Sequence, residues 1–527
     1  MRFVSLILVV LVLPLSTAAQ SNRLINTHDW PYELVDRLQK RGHLLQLNPS
    51  ALPYTTGAVR SALGDVDTTA LSSQERAWYR LLRRGLGPDA EDENRFQVGG
   101  VATAGARRSS SRRLNVLEPL GDGEPALPRV GLRGYAEWGP WIGQGGATFD
   151  LFYDVDPDGL DMARRLYGRS EEVYFGYNGR RLQAYLGRFD NQWALHDRIG
   201  GLLTDNPRSF DQIQIRFGNS TLSFRSILGV LDNMTADSTF TGLDRGRLGA
   251  TRRYAFFHRL DWSPSASLKL SVMEAEIYHS PTAGIALRNL IPFHAIVLES
   301  ANRPRNTDSN AMIGGSVWYQ RGPITLYAQG MLDDILISRR AERKRSGEFY
   351  PAVYTVNGSV TWAGLTDALD LGAEVDVVSA NAYRTDNRAD EWSYGRRGLA
   401  TNFSDYVRTQ LHATWYATPA LEFEPALTLY RKGEGDFRRL RVTYAPGRGG
   451  AIPSVLLGTV ERTVRPSISL RYQPVSFRLF DPSSEARFTA WVDANVGYNF
   501  VQNSGHVEGA TSDRFVGLFR IFGQITL

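Results

Sequence analysis

The sequence of 527 residues contains no cysteine. A chain without thiols forms no disulfide and offers no sulfur on which a lipoprotein lipid could be built. Lysine is nearly absent too. It occurs only at positions 40, 269, 344 and 432, so 56 of the 60 basic residues are arginine. Arg meets phosphate and carboxylate through a planar two-pronged contact, which suits an anionic glycan or lipid head group; GC-rich codons give the same bias. Past the N-terminus no stretch approaches the roughly 18 uninterrupted apolar residues of a transmembrane helix, so none is predicted. The net charge of +5 is small for this length, and no zinc or RNA-binding motif accompanies it, so nucleic-acid binding is not expected.

The opening residues have the layout of a secretory signal peptide. Arg2 is the positive end, Phe3 to Leu15 is the apolar run, and Thr17-Ala18-Ala19 supplies small residues for cleavage before Gln20. Residues 1–19 are therefore predicted to direct export. An exported chain without apolar helices meets a membrane only through strands.

The next segment, 20–94, reads as a small helical periplasmic domain. Pro31 opens PYELVDRLQKRG, with Gly42 as its stop. A short helix fits TGAVRSALG, and a third starts at the capping box Ser72 to Glu75. The acidic stretch PDAEDEN then separates this unit from residues 95–527.

From Phe96 onward the apolar period changes from 3.6 to 2. Val407, Thr409, Leu411, Ala413 and Trp415 alternate with polar neighbours, as do Phe488 through Phe500. Such alternation places one apolar and one polar face on each strand. Eighteen strands are predicted, among them 95–104, 145–153, 171–178 and 514–527. Tight turns such as Asn178-Gly179 and Arg321-Gly322 alternate with long loops, the asymmetry of an outer-membrane barrel. The last strand, FRIFGQITL, alternates to the final residue because a sheet in lipid cannot leave an edge unpaired. It is also similar to the terminal signal read by the barrel-insertion machinery. The expected fold is thus mainly β: a closed antiparallel transmembrane β-barrel of about 18 strands behind a small helical domain, monomeric and integral to the outer membrane of a Gram-negative-type bacterium.

Candidate sites are thinly marked. DVDPDG places Asp154, Asp156 and Asp158 at alternate positions before Gly159, as in the first half of a calcium loop, but Arg165 stands where the bidentate Glu belongs. A looser calcium site with Asp161 and a solvated acidic turn both remain as readings. His196-Asp197 and His279-Ser280 lack a second supporting element, so no enzyme and no cofactor are expected. Two basic stretches fall on the long-loop side: ARRSSSRRL, with Arg107 and Arg108, and SRRAERKRSG, with Arg339, Arg340 and Arg343. They suit acidic sugars, lipopolysaccharide phosphates or plain solvation. Trp193, Trp392 and Tyr394 offer rings for sugar stacking or for an interfacial girdle.

Several segments together resemble the Wzi-type capsule-assembly family of outer-membrane proteins. They are YLGRFDNQWALHDRIGGLLTDNPRSFDQIQIRF (185–217), FFHRLDWSPSASLKLSVMEAEIYHS (256–280), NLIPFHAIVLESANRPRNTDSNAMIGGSVWY (289–319) and ITLYAQGMLDDI (324–335). The resemblance covers most of residues 30–335. It implies an 18-stranded barrel with an attached helical bundle, and a lectin-like, non-catalytic role in holding capsular or extracellular polysaccharide at the cell surface. The positions that carry it are Arg188, Trp193, Asp205, Asn206, Pro207, Arg259, Glu274, Asp308, Asn310, Asp333 and Asp334. A passive pore for small solutes is the alternative function; it requires an open lumen where the lectin reading expects a blocked one.

Overall fold

The computed structural model describes residues 22–86, 96–110, 126–159, 168–234, 251–280, 291, 294–297, 309–334, 353–383, 387–438, 454–473, 477–478 and 486–527. The side chains of Asp154, Ser280, Asp334, Phe477 and Arg478 lie outside that description, as do Asp308, Arg339, Arg340 and Arg343.

Eighteen long strands make one barrel: β1 (Gln97–Ser109), β2 (Leu127–Trp138), β3 (Trp141–Asp150), β4 (Val173–Asn178), β5 (Leu182–Phe189), β6 (Phe210–Gly218), β7 (Leu222–Val230), β8 (Arg252–Ser265), β9 (Leu268–Ser280), β10 (Ser309–Arg321), β11 (Ile324–Asp334), β12 (Val353–Thr366), β13 (Leu369–Val378), β14 (Tyr406–Thr418), β15 (Leu421–Lys432), β16 (Glu461–Tyr472), β17 (Arg487–Gln502) and β18 (Thr511–Thr526). Each pairs antiparallel with the next. The seam closes where β1 meets β18, from Val101 opposite Thr526 to Ser109 opposite Leu518. Leu527 donates to the Gly100 carbonyl at 2.8 Å and accepts from Gly100 at 3.1 Å. The terminal residue thus completes the ladder, as the alternation to the last position predicts.

Three predicted strands differ in detail; the first runs to Ser109 and not to 104, which puts Arg107 and Arg108 on β1. The third ends at Asp150, short of residue 153, because the Asp150 carboxylate accepts the Phe152 N–H at 2.9 Å and turns the chain into a short helix, Phe152–Val155. The fourth is broken: Glu172 takes a positive φ of 55°, which swings its side chain to Arg133 at 2.7 Å.

The faces are those of a membrane barrel. Leu132, Leu186, Phe217, Val272, Leu411 and Phe515 point outward and are exposed. Trp138, Trp262, Trp362 and Trp415 form an outward aromatic belt near the tight-turn end. The inward faces carry ion pairs instead, such as Arg408 with Asp376 at 2.8 Å and Glu374 at 2.6 Å. Apolar outside and polar inside is stable only with lipid as the outer solvent. The chain is an outer-membrane β-barrel.

Helices α1 (Pro31–Lys40), α2 (Thr56–Gly64) and α3 (Ser73–Gly85) form where predicted, α3 with a complete capping box from Ser72 and Glu75. They share an apolar core around Leu34, Leu38, Val59, Trp78 and Leu82, which extends onto Tyr416 of the barrel. Trp78 donates to the Pro419 carbonyl at 3.2 Å in a tight turn. Arg37 pairs with Glu422 and Arg41 with Asp370, each at 2.7 Å. The helical unit therefore sits at the tight-turn end and fills it.

Above it the lumen is crossed twice more. Residues 190–209, between β5 and β6, and residues 379–383 and 387–405, between β13 and β14, fold inward. They meet in one apolar core of Trp193, Ile199, Leu202, Leu203, Tyr383, Trp392, Leu399 and Tyr406 against Phe257 and Met331 of the wall.

Candidate functional site

The outer end of this filling is built by short side-chain reaches from loops that follow different strands. Arg397, on the two-residue hairpin arm Arg397–Gly398, donates to the Asn206 carbonyl at 2.7 Å and to Asp156 at 2.9 Å. Arg208 approaches the same Asp156 oxygen at 3.6 Å while its guanidinium lies 3.8 Å from the centre of the Tyr153 ring. Arg438 pairs with Asp158 at 3.0 Å and lies over Phe437. Arg107 reaches Asp150 at 3.5 Å and lies 3.4 Å above Phe152. The result is a shelf of carboxylate-paired arginines, three of which, Arg107, Arg208 and Arg438, each rest on a ring. A guanidinium stacked in this way keeps its N–H edge directed outward and is cheaply dehydrated.

Asp156 and Asp158 of the acidic turn are paired with the guanidinium groups of Arg208, Arg397 and Arg438. Burial alone would raise the Asp156 carboxyl; Arg397, its hydrogen bond and Arg208 outweigh it and hold the group below the usual carboxylate range. Of the weak metal candidate Asp154, Asp156 and Asp158, the two described side chains are ion-paired with arginine. Among the described residues, Glu33, His196 and Asp197 also bring ligand atoms together. Arg471 contacts Glu33 and stands 3.9 Å from Asp197, so a guanidinium supplies the cation there.

The sequence candidates scatter. Arg107 points into the lumen, whereas Arg108, its neighbour on β1, points outward and is exposed; successive residues of a strand face opposite ways. Trp193, Trp392 and Tyr394 are corrected from exposed stacking rings to core residues, at 0%, 0% and 2% exposure. Their loops fold into the lumen, and Trp392 donates to the Leu202 carbonyl at 2.8 Å. Arg188 faces outward and pairs with Asp211 at 2.8 Å. Glu274 also faces outward, where His258 at 3.0 Å and the N–H groups of Ile296 and Val297 satisfy it. These two stand apart from the shelf.

Asp205, Asn206 and Pro207 lie mid-lumen. The Asp205 N–H donates to Gln192 at 3.2 Å and its carboxylate is 3.7 Å from His28; the Asn206 amide exchanges hydrogen bonds with Asn402 at 2.8 and 3.1 Å. Pro207 is buried beside them. Arg259 is fully buried and holds Asp261, Ser50 and Ser271 at 2.8–2.9 Å beneath the Trp193 ring. Asn310 is buried facing inward, and Asp333 accepts the Tyr383 N–H at 2.7 Å.

Sequence reasoning missed Arg253, Gln192, Gln329, Asn402 and Asp405, which fix the loops. Gln329 accepts from Gly201 and donates to the Trp193 carbonyl, both at 2.7 Å. Asp405 gathers the N–H groups of Gly435 and Leu457 at 2.8 and 3.1 Å. Gln329 lies within the LYAQG stretch and Gln192 within FDNQW, so a signal was present for both; the others carry none.

No protein-family model and no curated protein matches the chain. Among solved structures the likeness is to Wzi of Escherichia coli, described as an outer membrane protein involved in group 1 capsule assembly and a carbohydrate-binding β-barrel. The TM-score is 0.60 at 12% identity, over 96% of this chain and 99% of that one. The fold resembles that of Wzi. Two Occ proteins follow at TM-scores of 0.44, too distant to argue from: OccK3 of Pseudomonas aeruginosa, 10% identical over 82% of this chain and 95% of that one, and OccAB2 of Acinetobacter baumannii, 11% identical over 82% and 98%. At 12% identity the Wzi likeness establishes architecture, and function must be argued from the site.

Proposed function

We propose that this barrel binds an acidic surface polysaccharide at its outer end and retains it there, without catalysis. The observation that carries the reading is the filling of the lumen at three levels: the helical unit, residues 190–209, and residues 379–383 with 387–405. A passive pore needs that space. Tight turns face the periplasm in barrels of this kind, which puts the helical unit on the periplasmic side and the arginine shelf on the cell surface.

On this reading Arg107, Arg208 and Arg438 supply charge-assisted hydrogen bonds to uronate or similar groups. Partly exposed contacts of this type are worth about 1 kcal/mol or less each, so retention depends on many repeats along one polymer. Arg339, Arg340 and Arg343, which lie outside the described residues, belong to the same proposal. The outward-facing Arg108 suits lipopolysaccharide phosphates at the membrane rim.

Loss of the protein should release surface polysaccharide into the medium while its synthesis continues. Single-channel recording tests the pore alternative: steady large conductance from the full chain would favour it over the retention reading.

A further inference from the structure

Residues 190–209 touch both other layers of the filling, and they do so through consecutive residues. On the inner side Leu52 donates to the Gln192 carbonyl at 2.9 Å, and Gln192 donates back to Leu52 at 3.2 Å. His196 stacks on Tyr32 of α1 at 5.4 Å between ring centres, and its Nε2 is 3.1 Å from the Thr27 carbonyl. Asp205 faces His28. On the outer side Thr204 donates to the Leu399 carbonyl at 2.8 Å, Trp392 donates to Leu202, and Asn206 is held by Arg397 and Asn402.

Gln192 ties these limbs together. Its amide donates to the carbonyls of Leu195 at 2.7 Å and Arg198 at 2.9 Å, and its carbonyl oxygen accepts from Asp205. The path from Tyr32 to Arg397 runs through a stacked ring pair and directional hydrogen bonds. Close-packed contacts of this kind transmit displacement and do not absorb it.

We infer that residues 190–209 are a strut coupling the helical unit to the arginine shelf, so that seating of the helical unit orders the outer binding face and occupancy of that face tightens the helical unit. The second half rests on the polysaccharide reading; the first half does not. Coupling of this form is reciprocal by thermodynamic necessity.

The test uses the full chain in detergent micelles and reads amide hydrogen exchange at residues 399–402 and 204–206. Tyr32→Ala, which loosens the helical unit and removes its ring contact with His196, should speed exchange at 399–402 by tenfold or more, the change that about 1.4 kcal/mol of local opening free energy gives, while heat-modifiable migration shows the barrel intact. His28→Ala is the milder second variant should Tyr32→Ala fail to insert, with the same direction expected. Unchanged exchange at 399–402 in an inserted variant whose helical unit exchanges faster would overturn the strut. Polygalacturonate added to the wild type should in turn slow exchange in residues 31–40. If it binds, protects the shelf and leaves 31–40 unchanged, the coupling fails while the binding reading survives; if it does not bind at any ionic strength, the binding reading fails and the Tyr32→Ala result still decides the strut.

Discussion

Arg253 and Arg259 stand six residues apart on the inward face of β8, both fully buried, and they grip opposite ends of the lumen filling. Arg259 holds Ser50 of the helical unit. Arg253 pairs with Asp232 at 3.1 Å and donates to the carbonyls of Ala389, Ser393 and Glu391 in the outer loop. Six residues of strand separate the clamps by about 20 Å, so one strand spans all three layers, with Phe257 between them against Trp193 and Trp392.

The two clamps should therefore fail separately. Removing one partner of a buried pair typically costs about 3–5 kcal/mol. Arg259→Met should open residues 22–86 to protease in an inserted barrel, and Arg253→Met should open 387–393 first. The same cleavage order in both variants would contradict the assignment.

Trp392→Ala should destabilise the filling by about 3–5 kcal/mol, as for other large core truncations, measured as earlier urea unfolding in detergent. A surface sugar platform would lose polysaccharide binding with little change in stability. The exposure of 0% predicts the first outcome.

Asp190 sets a pH dependence at the join between the helical unit and the strut. Burial, together with Glu171, Asp205 and Glu172 and against the opposing pull of His28, pushes its carboxyl from 3.8 to about 7. An acid whose folded pKa is raised binds more protons folded than unfolded between those values, so stability is highest at low pH and falls as pH rises towards 7. With the base-catalysed intrinsic rate divided out, protection in residues 22–30 should fall from pH 5 to pH 8 in the wild type, and Asp190→Asn should flatten that slope. An unaltered slope in the variant would assign the effect elsewhere.

Closure of the barrel leaves a mark at Gly105. A Cβ there would lie 2.5 Å from the Ile521 carbonyl oxygen and 2.2 Å from the Phe522 ring across the β1–β18 seam. Backbone cannot yield as a side chain can, so Gly105→Val should abolish the heat-modifiable form. Normal migration of the variant would mean that the seam is built differently.

The barrel itself was legible because lipid enforces the pattern: Leu411 and Trp415 face out, Gln410 and His412 face in, and a two-residue period repeats this around the wall. The short helix after Asp150 was not, since the run ATFDLFY alternates well enough to read as strand until the Asp150 side chain captures the Phe152 N–H. Nor were the inward loops legible. Trp193 and Trp392 sit in polar, Gly-containing segments that read as surface, and only long-range contacts with β8 and β11 carry them inside. Arg107 and Arg108 show the same limit at one step: alternation separates them, yet as loop residues they had been read as one basic patch. The helical unit was legible from its caps, and its seat in the barrel rests on Arg37, Arg41 and Trp78, whose partners are more than 300 residues away.

The central claim is that a closed barrel retains polysaccharide through its arginine shelf. Its most direct test is the fraction of surface polysaccharide shed into the medium by cells carrying Arg107→Gln, Arg208→Gln and Arg438→Gln together, compared with wild type at equal synthesis and equal insertion. The account predicts greater shedding from the triple variant at low salt, with the wild type approaching it as salt is raised. Equal shedding from both at every ionic strength, with the variant inserted, would contradict it.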